Sequence, residues 1–303
     1  MGHDASRMAD TPHPRIRLLG LPNEAWSPRR GGLERYAEWL RGALETQGWL
    51  SDDGVTFGLR ALAGGEVVRC GDGCSAAWAV ALGRHPLRDA WRIARERRRV
   101  LGARRVVALS PQVADELARF YGREDAVVLL NPVFAPPGAR ATRSTGRLLL
   151  VGHGFERRGL DRLLAALKHL PGLALDVVGR DSQLPRWRAA ADATGVGSRV
   201  EFHGPVDARP FLAGAAVLVH PARYEPWGNV VAEAVSVGLP VVASAQTGAA
   251  WLVHPDHRWS APEGSHGLAE RIVAALTRPR DALWSPPSFD THLAALARAC
   301  TPA

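Results

Sequence analysis

Apolar residues along the chain gather in short continuous runs, separated by stretches in which they recur every three or four positions. The runs at 16–20, 66–69, 106–109, 127–130, 148–152, 173–178, 199–202, 216–219, 240–243 and 251–253 predict β-strands. Helical spacing through Leu33, Tyr36, Ala37, Leu40 and Leu44 predicts a helix, and further helices are expected at 86–101, 111–121, 159–169, 183–194, 207–213 and 228–237. Ser110 is placed to cap the second of these. The stretch 48–65 contains no strong strand signal. A run such as Leu148-Leu149-Leu150-Val151 has no polar face, as a strand buried on both sides requires. Strands alternating with helices therefore predict an α/β protein with parallel sheets covered on both faces. The prolines of 135–138 and the polar stretch 142–146 divide the series. They imply a first domain at 1–134, a linker at 135–146, a second domain at 147–288, and a last helix at 289–303 that crosses back to the first. In such sheets ligands sit beyond the carboxyl ends of the strands, so the loops after Gly20, Val151, Val178, His203 and His220 are the places to look.

Composition narrows the setting. With 303 residues, 46% hydrophobic and 22% charged, the chain suits two ordinary domains with cores of their own. No apolar stretch approaches the ~18 residues of a membrane span, and the polar first fourteen residues hold no apolar signal region. Three cysteines, Cys70, Cys74 and Cys300, are too few for a disulfide framework, which suits a reducing cytoplasm. The net charge is +8, and Lys168 is the only lysine among 38 basic residues. Arginine presents a planar fork that binds phosphate in two places at once. The excess implies an anionic partner: a nucleotide, a phosphorylated glycolipid, a membrane surface or a nucleic acid. Residues 84–105 hold nine arginines near Trp78, Leu87, Trp91 and Ile93, which is either the wet face of a surface helix or a face that docks on an anionic membrane. No nucleic-acid recognition motif accompanies this charge, and a nucleic-acid partner is not expected.

The densest chemistry lies in Tyr224-Glu225-Pro226-Trp227-Gly228-Asn229-Val230-Val231-Ala232-Glu233-Ala234, followed by Gly238-Leu239-Pro240-Val241-Val242-Ala243-Ser244. Glu225 falls just before a helix and Glu233 roughly one and a half turns into it, at about 1.5 Å per residue. Glu233 is flanked by apolar residues, where a carboxylate is costly to bury without partners. A vicinal diol such as that of ribose can donate two hydrogen bonds to it, and Glu225 can accept from the hydroxyls of a hexose. The free N–H groups of Gly228, Asn229 and Val230 would face a diphosphate, aided by the helix dipole.

With these residues the chain resembles the retaining glycosyltransferases of family 4, whose GT-B architecture has two facing Rossmann-like domains with parallel sheets. The likeness covers most of 147–254, more thinly 16–40 and 104–134, and leans toward the lipopolysaccharide core hexosyltransferases. Gly152-His153-Gly154-Phe155-Glu156-Arg157-Arg158-Gly159 resembles the strand–loop–helix segment of that family, which implies Arg158 as a donor-phosphate ligand with Arg157 as a second candidate. Two arginines at the mouth of such a loop also form an anion site on chemical grounds. The resemblance further implies Gly31 and Gly32 as the glycine-rich loop near the transferred sugar, Arg180 as a contact to base or phosphate, and the turn His203-Gly204-Pro205-Val206 beside the base. Cys70-Gly71-Asp72-Gly73-Cys74-Ser75 resembles an acceptor-side loop, which implies Asp72 in the active cleft, although Ser75 stands where the family pattern has histidine. No Asp-x-Asp pair occurs, so a metal-bound diphosphate is not expected and no cofactor is implied.

The expected function is transfer of a hexose, with retention, from a nucleotide-diphosphate sugar, UDP-linked by preference, to a glycan or glycolipid acceptor such as lipopolysaccharide core, in the cytoplasm or on the inner face of the membrane. Glu225, Arg158 and Asp72 are the expected catalytic set. The first domain departs from the family by its shortness, with one or two βα units missing. A non-catalytic nucleotide-sugar-binding remnant is therefore the alternative. A sugar-nucleotide epimerase would need acid and base groups in the first domain, for which no convincing set exists.

Overall fold

The computed structural model describes residues 14–20, 32–84, 86–134, 146–277 and 284–301. Two wholly parallel sheets organise them. The first runs in the order β1 (Ile16–Leu19), β2 (Val55–Gly58), β3 (Val67–Cys70), β4 (Arg105–Ala108) and β5 (Val127–Val128). Helices α1 (Gly32–Thr46), α2 (Ser75–Ala81), α3 (Pro86–Gly102) and α4 (Pro111–Tyr121) belong to this half. The second half contains β6 (Arg147–Val151), α5 (Phe155–Arg158), α6 (Leu160–Leu167), β7 (Ala174–Val178), α7 (Leu184–Ala193), β8 (Val200–Gly204), α8 (Arg209–Gly214), β9 (Val217–His220), α9 (Asn229–Ser236), β10 (Val241–Ser244), β11 (Arg258–Trp259) and α10 (Gly264–Thr277). Its strands lie in the order β11-β10-β9-β6-β7-β8. The architecture is GT-B, two Rossmann-like α/β halves. The last helix, α11 (Phe289–Cys300), returns to the first sheet. Its Leu293, Leu296 and Cys300 share a core with Ile16, Leu40 and Phe57.

Successive residues of β6 serve opposite faces. Leu148 and Leu150 pack with Leu160, Leu163 and Leu164 of α6, whereas Leu149 packs with Leu218, Val231 and Ala234 on the α9 side. That double burial is why the strand reads as one unbroken apolar run. The strand order reverses between β6 and β9, which opens a crevice above their carboxyl ends.

Three strand expectations need correction. Within 48–65, β2 forms between β1 and β3, with Phe57 fully buried. Its flanking glycines hid it, yet both are required. A Cβ on Gly54 would stand 2.2 Å from the Arg15 carbonyl, and one on Gly58 would stand 2.0 Å from the Gly64 carbonyl oxygen. The run 251–253 is no strand but follows a short 3₁₀ turn at Ala250–Leu252, because Leu252 and Val253 are apolar to pack against the α9 side. The edge strand is Arg258–Trp259 instead, paired with β10. The expected strand 127–130 shortens to Val127–Val128. Of the linker, 135–145 lies outside the described residues.

Candidate functional site

Between the two halves lies a cavity of about 770 Å³, within the usual range for a small-molecule site. The loops after β6 and β9 meet in its wall, at the crevice set by the reversed strand order. Gly152 has φ +145°, and a Cβ there would stand 2.4 Å from Arg158 Nε, so glycine is what lets that side chain lie across the end of β6. Gly159, at φ +76°, breaks α5 from α6 and sits where a Cβ would meet the Pro221 carbonyl oxygen at 2.1 Å. The two loops are thereby held against each other.

Glu225 is buried at this junction. Its backbone N–H donates to the Gln246 carbonyl at 2.9 Å, and its carbonyl accepts from the Gly248 N–H at 2.8 Å. Its carboxylate pairs with the Arg158 guanidinium, with Arg157 at 3.5 Å and His220 Nε2 at 3.8 Å. Burial, and then the charge of Arg157, hold Arg158 well below the ordinary arginine value. A guanidinium stays cationic all the same, since its ordinary value is so high. Arg158 Nε is buried without a hydrogen-bond partner among the described residues. Such an unfilled donor on a buried cation favours an incoming anion.

Glu233, one and a half turns into α9, is also buried. Burial raises its carboxyl above the ordinary range, and Arg35 of α1 opposes the shift through an ion pair at 3.0 Å. Gly228 caps α9 with φ +96°, and Gly228, Asn229 and Val230 all line the cavity. Asn229 is fixed from the other half: its Oδ1 accepts from Asn131 Nδ2 at 3.0 Å, and Asn131 Oδ1 accepts from the buried Arg69 at 2.6 Å. Asp72 reaches the cavity wall, where it faces Arg60 at 3.6 Å. Arg180 does not line the cavity. It is exposed, and its backbone N–H donates to His153 Nδ1. Pro205 and Val206 do line it. Gly32 opens α1 one turn before Arg35, while Gly31 lies outside the described residues.

Residues 145–278 match the sequence profile of the family described as "Glycosyl transferases group 1". Those residues are a group 1 glycosyl transferase domain. The chain is 35% identical over 122 residues to the lipopolysaccharide core biosynthesis glycosyltransferase LpsE of Rhizobium meliloti, a match that covers 40% of this chain and 34% of LpsE. It is 43% identical over 113 residues to the lipopolysaccharide glucosyltransferase WaaG of Escherichia coli, covering 35% of this chain and 30% of WaaG. Each match thus spans about a third of the relative's length. The crystal structure of WaaG superposes with a TM-score of 0.64 at 24% identity, covering 92% of this chain and 80% of that one. Anabaena HepE, solved in complex with UDP and glucose, gives 0.64 at 16% identity, covering 88% and 90%. These likenesses show the shared two-sheet fold.

The seam between the glycosyl transferase domain and the first half contains residues that sequence reasoning passed over. Tyr224, next to Glu225, is buried in the opposite half, where its hydroxyl donates to Glu116 at 2.6 Å and accepts from the Cys74 N–H at 3.0 Å. A Cβ on Gly73 would stand 2.3 Å from that hydroxyl, so the glycine makes room for it. Ser110 Oγ donates to the Pro226 carbonyl at 2.7 Å. Arg35 was also missed, because its partner Glu233 lies 198 positions away. His220 is fully buried, and burial together with Arg158 and Arg157 keeps it well below the ordinary histidine value, hence neutral. Asp176, Glu201 and His203 place one ligand atom each within 4.8 Å of one another. Arg147 already pairs with both carboxylates, and none of the three lines the cavity. Among the described residues no helix is long and apolar enough to cross a membrane.

Proposed function

We propose that the chain is a retaining hexosyltransferase that takes its sugar from a nucleotide-diphosphate donor, UDP-linked by preference, and passes it to a glycan or glycolipid acceptor such as lipopolysaccharide core. The observation that carries this reading is the convergence, in one cavity, of two buried carboxylates with a buried arginine whose Nε has no hydrogen-bond partner among the described residues. Glu233 is matched to the ribose diol, and the Gly228, Asn229 and Val230 amides with Arg158 and Arg157 to the diphosphate. Glu225 is then placed to orient the hexose. In this arrangement the diphosphate leaves from the same face that the acceptor attacks, and the arginines with the α9 amides stabilise its growing charge without a metal. Gly32 and Asp72 border the sugar from the first half. The relatives named for lipopolysaccharide synthesis and the UDP- and glucose-bound neighbour agree with that donor and acceptor class.

An anionic membrane surface is a further proposed partner, met from the cytoplasmic side. Helix α3 exposes Leu87 and Trp91, at 79% and 71%, beside Arg95, Arg97 and Arg98. That pairing of an interfacial aromatic with basic side chains suits a charged bilayer.

Calorimetry with UDP tests the donor assignment. Two hydrogen bonds to a carboxylate are worth about 1.5–3 kcal/mol each, so Glu233→Ala is expected to weaken UDP about a hundredfold or more. Unchanged affinity in this variant refutes the ribose assignment.

A further inference from the structure

His220 ends β9 with a fully buried side chain, and neither of its ring nitrogens has a hydrogen-bond partner among the described residues. A buried polar nitrogen left unfilled costs free energy that an apolar side chain of similar size would not. Packing alone does not account for an imidazole at this position. Its Nε2 lies 3.8 Å from the Glu225 carboxylate, just beyond hydrogen-bond reach. That carboxylate is committed elsewhere, to Arg158, with Arg157 at 3.5 Å. These are the two arginines matched above to the donor diphosphate. Burial, and then the charges of Arg158 and Arg157, keep the ring neutral, so it carries one N–H and one lone pair. A carboxylate beside it favours the tautomer with the proton on the nearer nitrogen, Nε2.

Resting on the donor reading above, we propose that His220 is a positioning residue that takes over Glu225 when the donor draws Arg158 and Arg157 onto its diphosphate. A guanidinium turned toward phosphate loosens its hold on the carboxylate, which is then a buried charge in need of a donor. The Nε2–H of His220 supplies one once the gap shortens by about 1 Å. Glu225 is thereby kept where it can meet the hexose, and the proton stays on the imidazole throughout. His220 does not line the cavity, so it acts through Glu225 and not by touching the donor.

The test is calorimetry with UDP on a double-mutant cycle. A hydrogen bond that forms only once the diphosphate is bound adds to UDP affinity. His220→Leu should therefore weaken UDP about tenfold, as one bond to a charged group warrants. His220→Gln, whose amide N–H can stand in for Nε2–H, should restore most of the loss. In a Glu225→Ala background His220→Leu should have no effect, whereas an imidazole that serves packing alone costs the same in both backgrounds. Proton–nitrogen NMR of histidine-labelled protein is the second measurement, and it decides alone should a variant fail to fold. Saturation with UDP should produce a downfield Nε2 proton resonance that is missing from the free protein and from His220→Gln. Unchanged UDP affinity in His220→Leu, equal losses in both backgrounds, or no new proton resonance overturns the proposal. Absence of UDP binding by the unmodified protein overturns the donor reading instead.

Discussion

Protonation of His292 should loosen the return of α11 onto the first half. The imidazole is buried there, with Nε2 3.0 Å from the Tyr36 hydroxyl and Nδ1 2.9 Å from the Leu130 carbonyl. Burial, and then the nearby charge of Arg69, lower its pKa from 6.5 to about 4. A histidine whose pKa is depressed by folding stays neutral in the native state while the unfolded chain takes up a proton. Stability is therefore complete above pH 6.5 and falls as the pH drops from 6.5 toward 4. Between pH 7 and pH 5 the loss from this one group is about 2 kcal/mol, at roughly 1.4 kcal/mol for each unit by which pH 5 lies below the unfolded value. Urea unfolding followed by tryptophan fluorescence suits the measurement, because the Trp39 ring centroid is 5.4 Å from that of His292. The carboxyls of half-buried Glu116 and buried Glu233 are raised and work in the opposite direction, so the informative quantity is the difference between the unmodified protein and His292→Gln. The variant should be less stable at pH 7 yet lose about 2 kcal/mol less on going to pH 5. An identical pH slope in both proteins refutes the reasoning.

Tyr224→Phe removes a hydroxyl that ties the Glu225 loop to Glu116 and Cys74. Hydrolysis or transfer of a UDP-sugar should slow about tenfold, since one such bond is worth about 1 kcal/mol or more, while calorimetry shows UDP affinity kept. Arg98→Ala should weaken flotation with phosphatidylglycerol vesicles roughly fivefold, as about 1 kcal/mol per basic residue near the surface requires. Wild-type flotation in that variant sinks the membrane role of α3.

The second half was the more legible because its central strands are buried on both faces. Leu148–Val151 and Val217–His220 announce themselves by composition alone, and Glu225 and Glu233 stand out as carboxylates in apolar surroundings. The first half speaks less clearly. β2 is bounded by glycines that serve close backbone contacts, and such contacts leave no periodic trace. Leu252 and Val253 misled because apolar residues in a turn look like a strand when read one at a time. Arg35, Asn131 and Tyr224 act on partners 98 to 198 positions away, if Arg35–Glu233, Asn131–Asn229 and Tyr224–Glu116 are taken together. Long-range pairs of this kind are set by the packing of the halves, which local pattern does not encode. Arg180, after the end of β7, is exposed and outside the lining of the cavity.

The Arg35–Glu233 ion pair gives Glu233 a cationic partner from the other half of the protein. With Glu233 read as the ribose ligand, a nucleotide must evict a guanidinium before it can settle. A sugar with two neighbouring hydroxyls replaces that contact with two new ones, whereas a 2′-deoxy sugar offers only one. The displaced arginine would thus act as a threshold that ribonucleotides cross and deoxyribonucleotides do not, a form of discrimination built from competition rather than from fit.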